Sequence, residues 1–141
     1  MLRDPEGAPV CNVAFDLSAD QLSAAAHAAS EIRTERHRGA TLSTDDVLAM
    51  RELTGVVDEL AGYAEAQGHK TVTLPLARMV ALHDALDEWL ATREQRGWMR
   101  GADETAHPLV AAMVGPMGAL RADAVRATLE AHAQAPGDPC A

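Results

Sequence analysis

Apolar and polar residues alternate from Val10 to Leu17. Cys11, Val13, Phe15 and Leu17 share one face and Asn12, Ala14 and Asp16 the other, which is the two-residue period of a strand. At Ser18 the period changes. Ser18 and Gln21 have the spacing of a capping box, Leu17 and Leu22 that of a hydrophobic staple, and Leu22, Ala25, Ala26, Ala29 and Ile32 recur at helical intervals up to a stop at Gly39. The same devices recur at Ser43 and Asp46, with Leu42 and Val47 as the staple. A broader apolar stripe follows through Met50, Leu53, Val57, Leu60 and Ala64, widened by Val56 and Tyr63, and Gly68 closes this helix. Gly55 and Gly62 on it predict the close approach of a neighbouring helix.

Alternation returns at Lys70–Leu74. Pro75 then opens a third helix with Met79, Leu82, Leu86 and Trp89 inward, ending at Gly97. A loop, Trp98–Gly101, precedes a fourth helix that should start near Thr105–Pro108 and break or kink at Gly115–Pro116. A last segment, about 117–133, carries Leu120, Val125 and Leu129. The expected fold is mainly α within the α+β class, with two short strands and four to five helices. Residues 1–9 form a loose arm, 10–134 one helical domain, and 135–141 a frayed tail.

The two halves, 10–68 and 69–121, both read strand, helix, helix, and a C-terminal helix follows. Sliding the chain by 57 residues lays Phe15 on Val72, Leu22 on Met79, Ile32 on Trp89 and Leu53 on Val110, with identities at Glu31/Glu88, Arg36/Arg93 and Asp46/Asp103. A duplicated unit predicts that the two strands pair antiparallel about a local twofold axis. Without duplication, each strand would pair across a dimer.

Composition narrows the function. The 141 residues carry a formal charge of −9, and Lys70 and eleven scattered arginines build no basic cluster. That argues against a phosphate-binding surface. The sequence contains no apolar run of the roughly 18 residues a membrane span needs and no cationic, then apolar, start of a secretory leader, so a cytoplasmic location is expected. Cys11 and Cys140 read as ordinary thiols of a reducing compartment. Apolar residues make up 48% of the chain but aromatics only 3%, and the thin alanine faces predict that a second copy supplies the missing packing volume.

Chemistry-bearing residues are sparse. Glu104 and His107 have the Glu-x-x-His spacing of di-iron bundles, but a second copy is missing, so neither a metal site nor a cofactor is expected. His83 and Asp87, one helical turn apart, have the spacing of a base held by a carboxylate, yet no nucleophile or oxyanion cradle accompanies them, and an enzyme is not expected. His27, His37, His69 and His132 fall on helix ends or polar faces. Asp45, Glu52 and Glu59 stand seven apart as an acidic stripe suited to a basic partner. Trp98, Met99 and Arg100, set between Gly97 and Gly101, combine residue types that dominate interface hot spots.

Lys70-Thr71-Val72-Thr73-Leu74-Pro75 resembles the strand of ribbon-helix-helix repressors, and the resemblance implies DNA binding through alternate strand residues. The helices here are longer, the link before the last helix is too long, and the charge has the wrong sign.

The sequence therefore favours a non-enzymatic interaction or regulatory module, acting as a homodimer on a protein partner through Trp98, Met99, Arg100 and the acidic stripe. The alternatives are a small-ligand or metal-binding helical module, with a pocket near His83, Trp89, His107 and Met113, and the repressor.

Overall fold

The computed structural model describes residues 12–37, 44–65, 71–99 and 101–133. Their order is β1 (Asn12–Asp16), α1 (Ala19–His37), α2 (Thr44–Glu65), β2 (Thr71–Pro75), α3 (Leu76–Arg96) and α4 (Gly101–Ala133). The expected stops at Gly39 and Gly68, the Ser43 cap, both cysteines, the arm and the tail lie outside the described residues, as do the side chains of Asp45, Asp46, Tyr63 and Ala64.

α1 starts where its capping box demands. The Ser18 amide donates to Gln21 Oε1 at 2.9 Å and the Gln21 amide to Ser18 Oγ at 3.1 Å, while Leu17 and Leu22 are buried beside them. α3 ends at Gly97, whose φ of 78° is the left-handed cap a side chain disfavours, with its amide donating to the Arg93 carbonyl at 3.1 Å.

β1 and β2 pair antiparallel in the same chain, with Phe15 opposite Val72. Val13, Phe15, Val72 and Leu74 turn into the core; Ala14, Asp16, Thr71 and Thr73 face solvent. The outer face of this ribbon carries Asp16, whose Oδ1 accepts from Thr71 Oγ1 at 2.7 Å, a poor surface for a DNA groove.

α1 and α3 form the centre, each packed on the other and on both α2 and α4, whereas the described residues of α2 and α4 do not meet. Ala24, Ala25, Ala28 and Ala29 of α1 are at most 4% exposed, so the thin face brings α1 close to its neighbours inside one chain. The alanine face of α1 is thus covered by helices of the same chain.

The 57-residue offset recurs in space. It carries the first residue of α1 onto that of α3 and the first residue of α2 onto that of α4. Leu22, Ala25, Ala28, Ala29 and Ile32 map onto Met79, Leu82, Ala85, Leu86 and Trp89, and every one of these ten residues is buried. Phe15 and Val72, equivalent by the same offset, face each other across the ribbon, where a twofold axis of an antiparallel pair would pass. The ion pairs Arg36–Glu88 and Arg93–Glu31 are each other's counterparts under this operation.

α4 departs from expectation. It starts at Gly101, so Pro108 lies in its third turn rather than its first, and it runs through Gly115–Pro116 without ending. Both prolines face solvent, where water can take the carbonyls they leave without donors, and buried Val110, Met113 and Met117 hold the segment to the core. Leu120 and Leu129 are 37% and 63% exposed, and Leu129 lies on the part of α4 that continues past the counterpart of α2.

The two glycines of α2 also differ from expectation. At Gly55 the close neighbour is the Arg78 guanidinium, not a helix backbone, and at Gly62 an added Cβ meets nothing within 4 Å. Gly62→Ala should therefore stabilise the protein by about 0.5–1 kcal/mol, through lower chain entropy in the unfolded state and better helix propensity. Urea unfolding checks this, and an unchanged or lower midpoint would contradict it.

Candidate binding site

Helical spacing on α1 sets the site out. His27 and Glu31 are one turn apart, with Ser30, Thr34 and Glu35 along the same side, and α3 contributes Arg93 and Arg96 from its last turn. The left-handed Gly97 cap turns the chain so that Trp98 follows at the rim, and Asp103 enters from the first turn of α4. These residues line a cavity of about 500 Å³, open on one side.

The charges inside are ordered rather than merely close. Arg93, 2% exposed, reaches Glu31 Oε2 at 3.2 Å, Glu35 Oε1 at 3.0 Å and Asp103 Oδ2 at 3.6 Å. Arg96 holds Asp103 Oδ2 at 3.2 Å. The outer oxygens of Glu31 and Asp103 are thus taken by arginines. Their inner oxygens both face one nitrogen: His27 Nε2 lies 2.7 Å from Asp103 Oδ1 and 2.9 Å from Glu31 Oε1. The Trp89 indole N–H donates to the same Glu31 oxygen at 3.0 Å. Trp89 is fully buried, with the His27 ring edge-on at 6.3 Å between centroids and the Arg93 guanidinium 5.2 Å from its ring.

Asp103 is 4% exposed, and its carboxyl is lowered from the ordinary 3.8 to about 2. Burial pushes it up, but hydrogen bonding to Glu31 and His27 and the charges of Arg93 and His27 outweigh burial. Two arginines face three carboxylates here, so the cluster is one positive charge short unless His27 or a ligand supplies it.

At the rim, Trp98 is 51% exposed; the Arg96 guanidinium stacks 3.7 Å from its ring, and Arg96 Nε donates to the Trp98 carbonyl at 3.1 Å. Met99 beside it is half-buried, and Arg100 lies outside the described residues.

The other sequence candidates are placed differently. Arg78 lies over Gly55 and pairs with Glu52 at 3.7 Å and with Glu59, so two members of the acidic stripe are already partnered within the chain. Trp89 and His107 are neighbours, 6.2 Å between ring centroids, and Met113 belongs to the core. His83 instead joins α3 to α4. Its Nδ1 accepts from Arg121 at 3.1 Å, so Nε2 carries the proton donated to the Val114 carbonyl at 3.1 Å. Arg121 also pairs with Asp84, so His83, Asp84 and Arg121 clamp α3 to α4. Glu104 is exposed and stands apart from the carboxylates of the cavity.

His27, Glu31 and Asp103 are the residues that sequence reasoning missed. Part of a signal was present, because His27 and Glu31 have the i,i+4 spacing of one helix face. Asp103 lies 76 residues from His27, and only folding joins them. The repeat offers a second signal: the offset pairs Trp89 with Ile32, His27 with Asp84 and Glu35 with Thr92. The shared Arg–Glu pair serves both halves, whereas these substitutions build a site on one side alone.

No helix among the described residues is long and apolar enough to cross a membrane. No protein family, curated protein or solved structure matches this chain.

Proposed function

We propose that the protein is a non-enzymatic interaction module that takes a basic side chain of a partner protein into the cavity beneath Trp98. The observation that carries this reading is the rim: a half-exposed Trp98 stacked on Arg96 over a cavity lined by the carboxylates of Glu31, Glu35 and Asp103. Trp and Arg are among the residues most enriched in interface hot spots. The chain's net charge of −9 steers a basic partner toward it.

Self-association is a second reading, supported by Val47 and Leu48 of α2 and Leu129 of α4, which are 46%, 51% and 63% exposed. These lie away from the cavity lining, so the two readings separate by mutation.

Native mass spectrometry of the gently purified protein tests both. The expected result is a stoichiometric heterocomplex that Trp98→Ala weakens by at least about 2 kcal/mol, roughly thirtyfold, with the fold unchanged. A complex equally stable with Trp98→Ala would overturn the proposal, and a bare homodimer insensitive to Trp98 would replace it with the second reading.

A further inference from the structure

We infer that His27, Glu31 and Asp103 form a binding site for a first-row divalent cation, independent of any protein partner. One ligand atom from each lies within 4.8 Å of the others: His27 Nε2, Glu31 Oε1 and Asp103 Oδ1.

The present separations of 2.9 and 2.7 Å from Nε2 to the two oxygens are hydrogen-bond distances. Bonds of about 2.1 Å to a cation place neighbouring donors roughly 3.0–3.4 Å apart, so both Nε2–oxygen separations lie within a few tenths of an ångström of that range. The surroundings are those of an outer shell. Arg93 and Arg96 hold the outer carboxylate oxygens and Trp89 steadies Glu31 Oε1, which fixes the direction of the inner lone pairs.

Two further observations point to an occupant. His27 Nε2 carries at most one proton, yet two carboxylate oxygens face it, in a cluster that sets three carboxylates against two arginines. The Nε of Arg93, a cavity-lining residue 2% exposed, has no hydrogen-bond acceptor among the described residues and stands 3.6 Å from Asp103 Oδ2. An ion adds positive charge beside the three carboxylates, and an oxygen it brings into the cavity can serve as an acceptor. One imidazole and two carboxylates suit zinc, iron, manganese or cobalt.

The test is a Co²⁺ titration of the full chain, read by visible absorbance and by the emission of Trp98→Phe, in which Trp89 is the remaining indole. The expected result is one equivalent bound, ligand-field bands, quenching of Trp89, displacement by Zn²⁺, and at least about tenfold weaker binding with His27→Gln. No saturable binding, or an unquenched Trp89, overturns the inference. So does undiminished affinity in His27→Gln, which would put the ion on other histidines. If His27→Gln disturbs the fold, Trp89 quenching in Trp98→Phe decides alone.

Discussion

Replacing Arg93 with leucine is expected to destabilise the protein by about 3–5 kcal/mol, whereas the same change at Arg36 costs less than about 1 kcal/mol. The two arginines are equivalents in the two halves, and each bridges α1 and α3 to the equivalent glutamate. They differ in burial. Arg36 and Glu88 have side chains 28% and 46% exposed, so water screens the pair and holding two long side chains together offsets most of the attraction. Arg93 is 2% exposed and is the common partner of Glu31, Glu35 and Asp103. Removing it leaves three carboxylates crowded with Arg96 and His27 as their remaining cationic partners, and strips the guanidinium from beside Trp89. Urea unfolding of both variants, followed by Trp89 emission, measures the contrast. Equal losses would mean that the cluster is solvated and that its burial does not govern its strength.

The second large effect is a pH dependence centred on Asp103. Its carboxyl is held at about 2 in the folded protein against an ordinary 3.8, so the folded state favours the ionised form. The stabilisation is present above pH 3.8 and is lost as pH falls through about 2. The shift corresponds to about 2 kcal/mol. In metal-free buffer, the stability gap between the parent protein and Asp103→Asn should shrink by that amount from about pH 5 to pH 2, because asparagine has no charge to lose. Chemical unfolding at several pH values reads the gap directly. A gap independent of pH would show that the Asp103 carboxylate gains nothing from His27 and Arg93 in the folded state.

Both effects arise in the region that the proposed function and the proposed cation site use. A cluster anchored so firmly on its outer side can present its inner oxygens in fixed directions, which is what recognition of a compact cation or a basic group requires. The twofold-related side, with Asp84 and Ile32 where this site has His27 and Trp89, keeps an Arg–Glu pair yet builds a different contact. There Asp84 is engaged by Arg121, in the clamp that also holds His83.

What could be read along the chain was what depends on neighbours a few residues away. The capping box of Ser18 and Gln21, the left-handed stop at Gly97, the alternation of both strands and the inward sets of α1 and α3 are local events, settled by hydrogen bonds and periodicity within a turn or two. The offset of 57 residues was legible too, because two halves that bury equivalent faces need matching apolar positions.

Tertiary structure decided the rest, wherever a residue's role is set by a partner far away in sequence. Pro116 is a helix breaker by local rules, yet α4 runs through it, since packing of Val110, Met113 and Met117 outweighs one missing hydrogen bond on a solvated face. Gly55 accommodates Arg78 instead of a helix, and the alanine face of α1 closes on its own chain. His27 and Glu31 sit on one helix face in any reading, but an imidazole with a neighbouring carboxylate is an ordinary surface pair until Asp103 arrives from α4 and Arg93 from α3. Periodicity shows which way a side chain points; burial and the charges it meets there are properties of the assembled helices, and these turn an unremarkable histidine into the centre of a site.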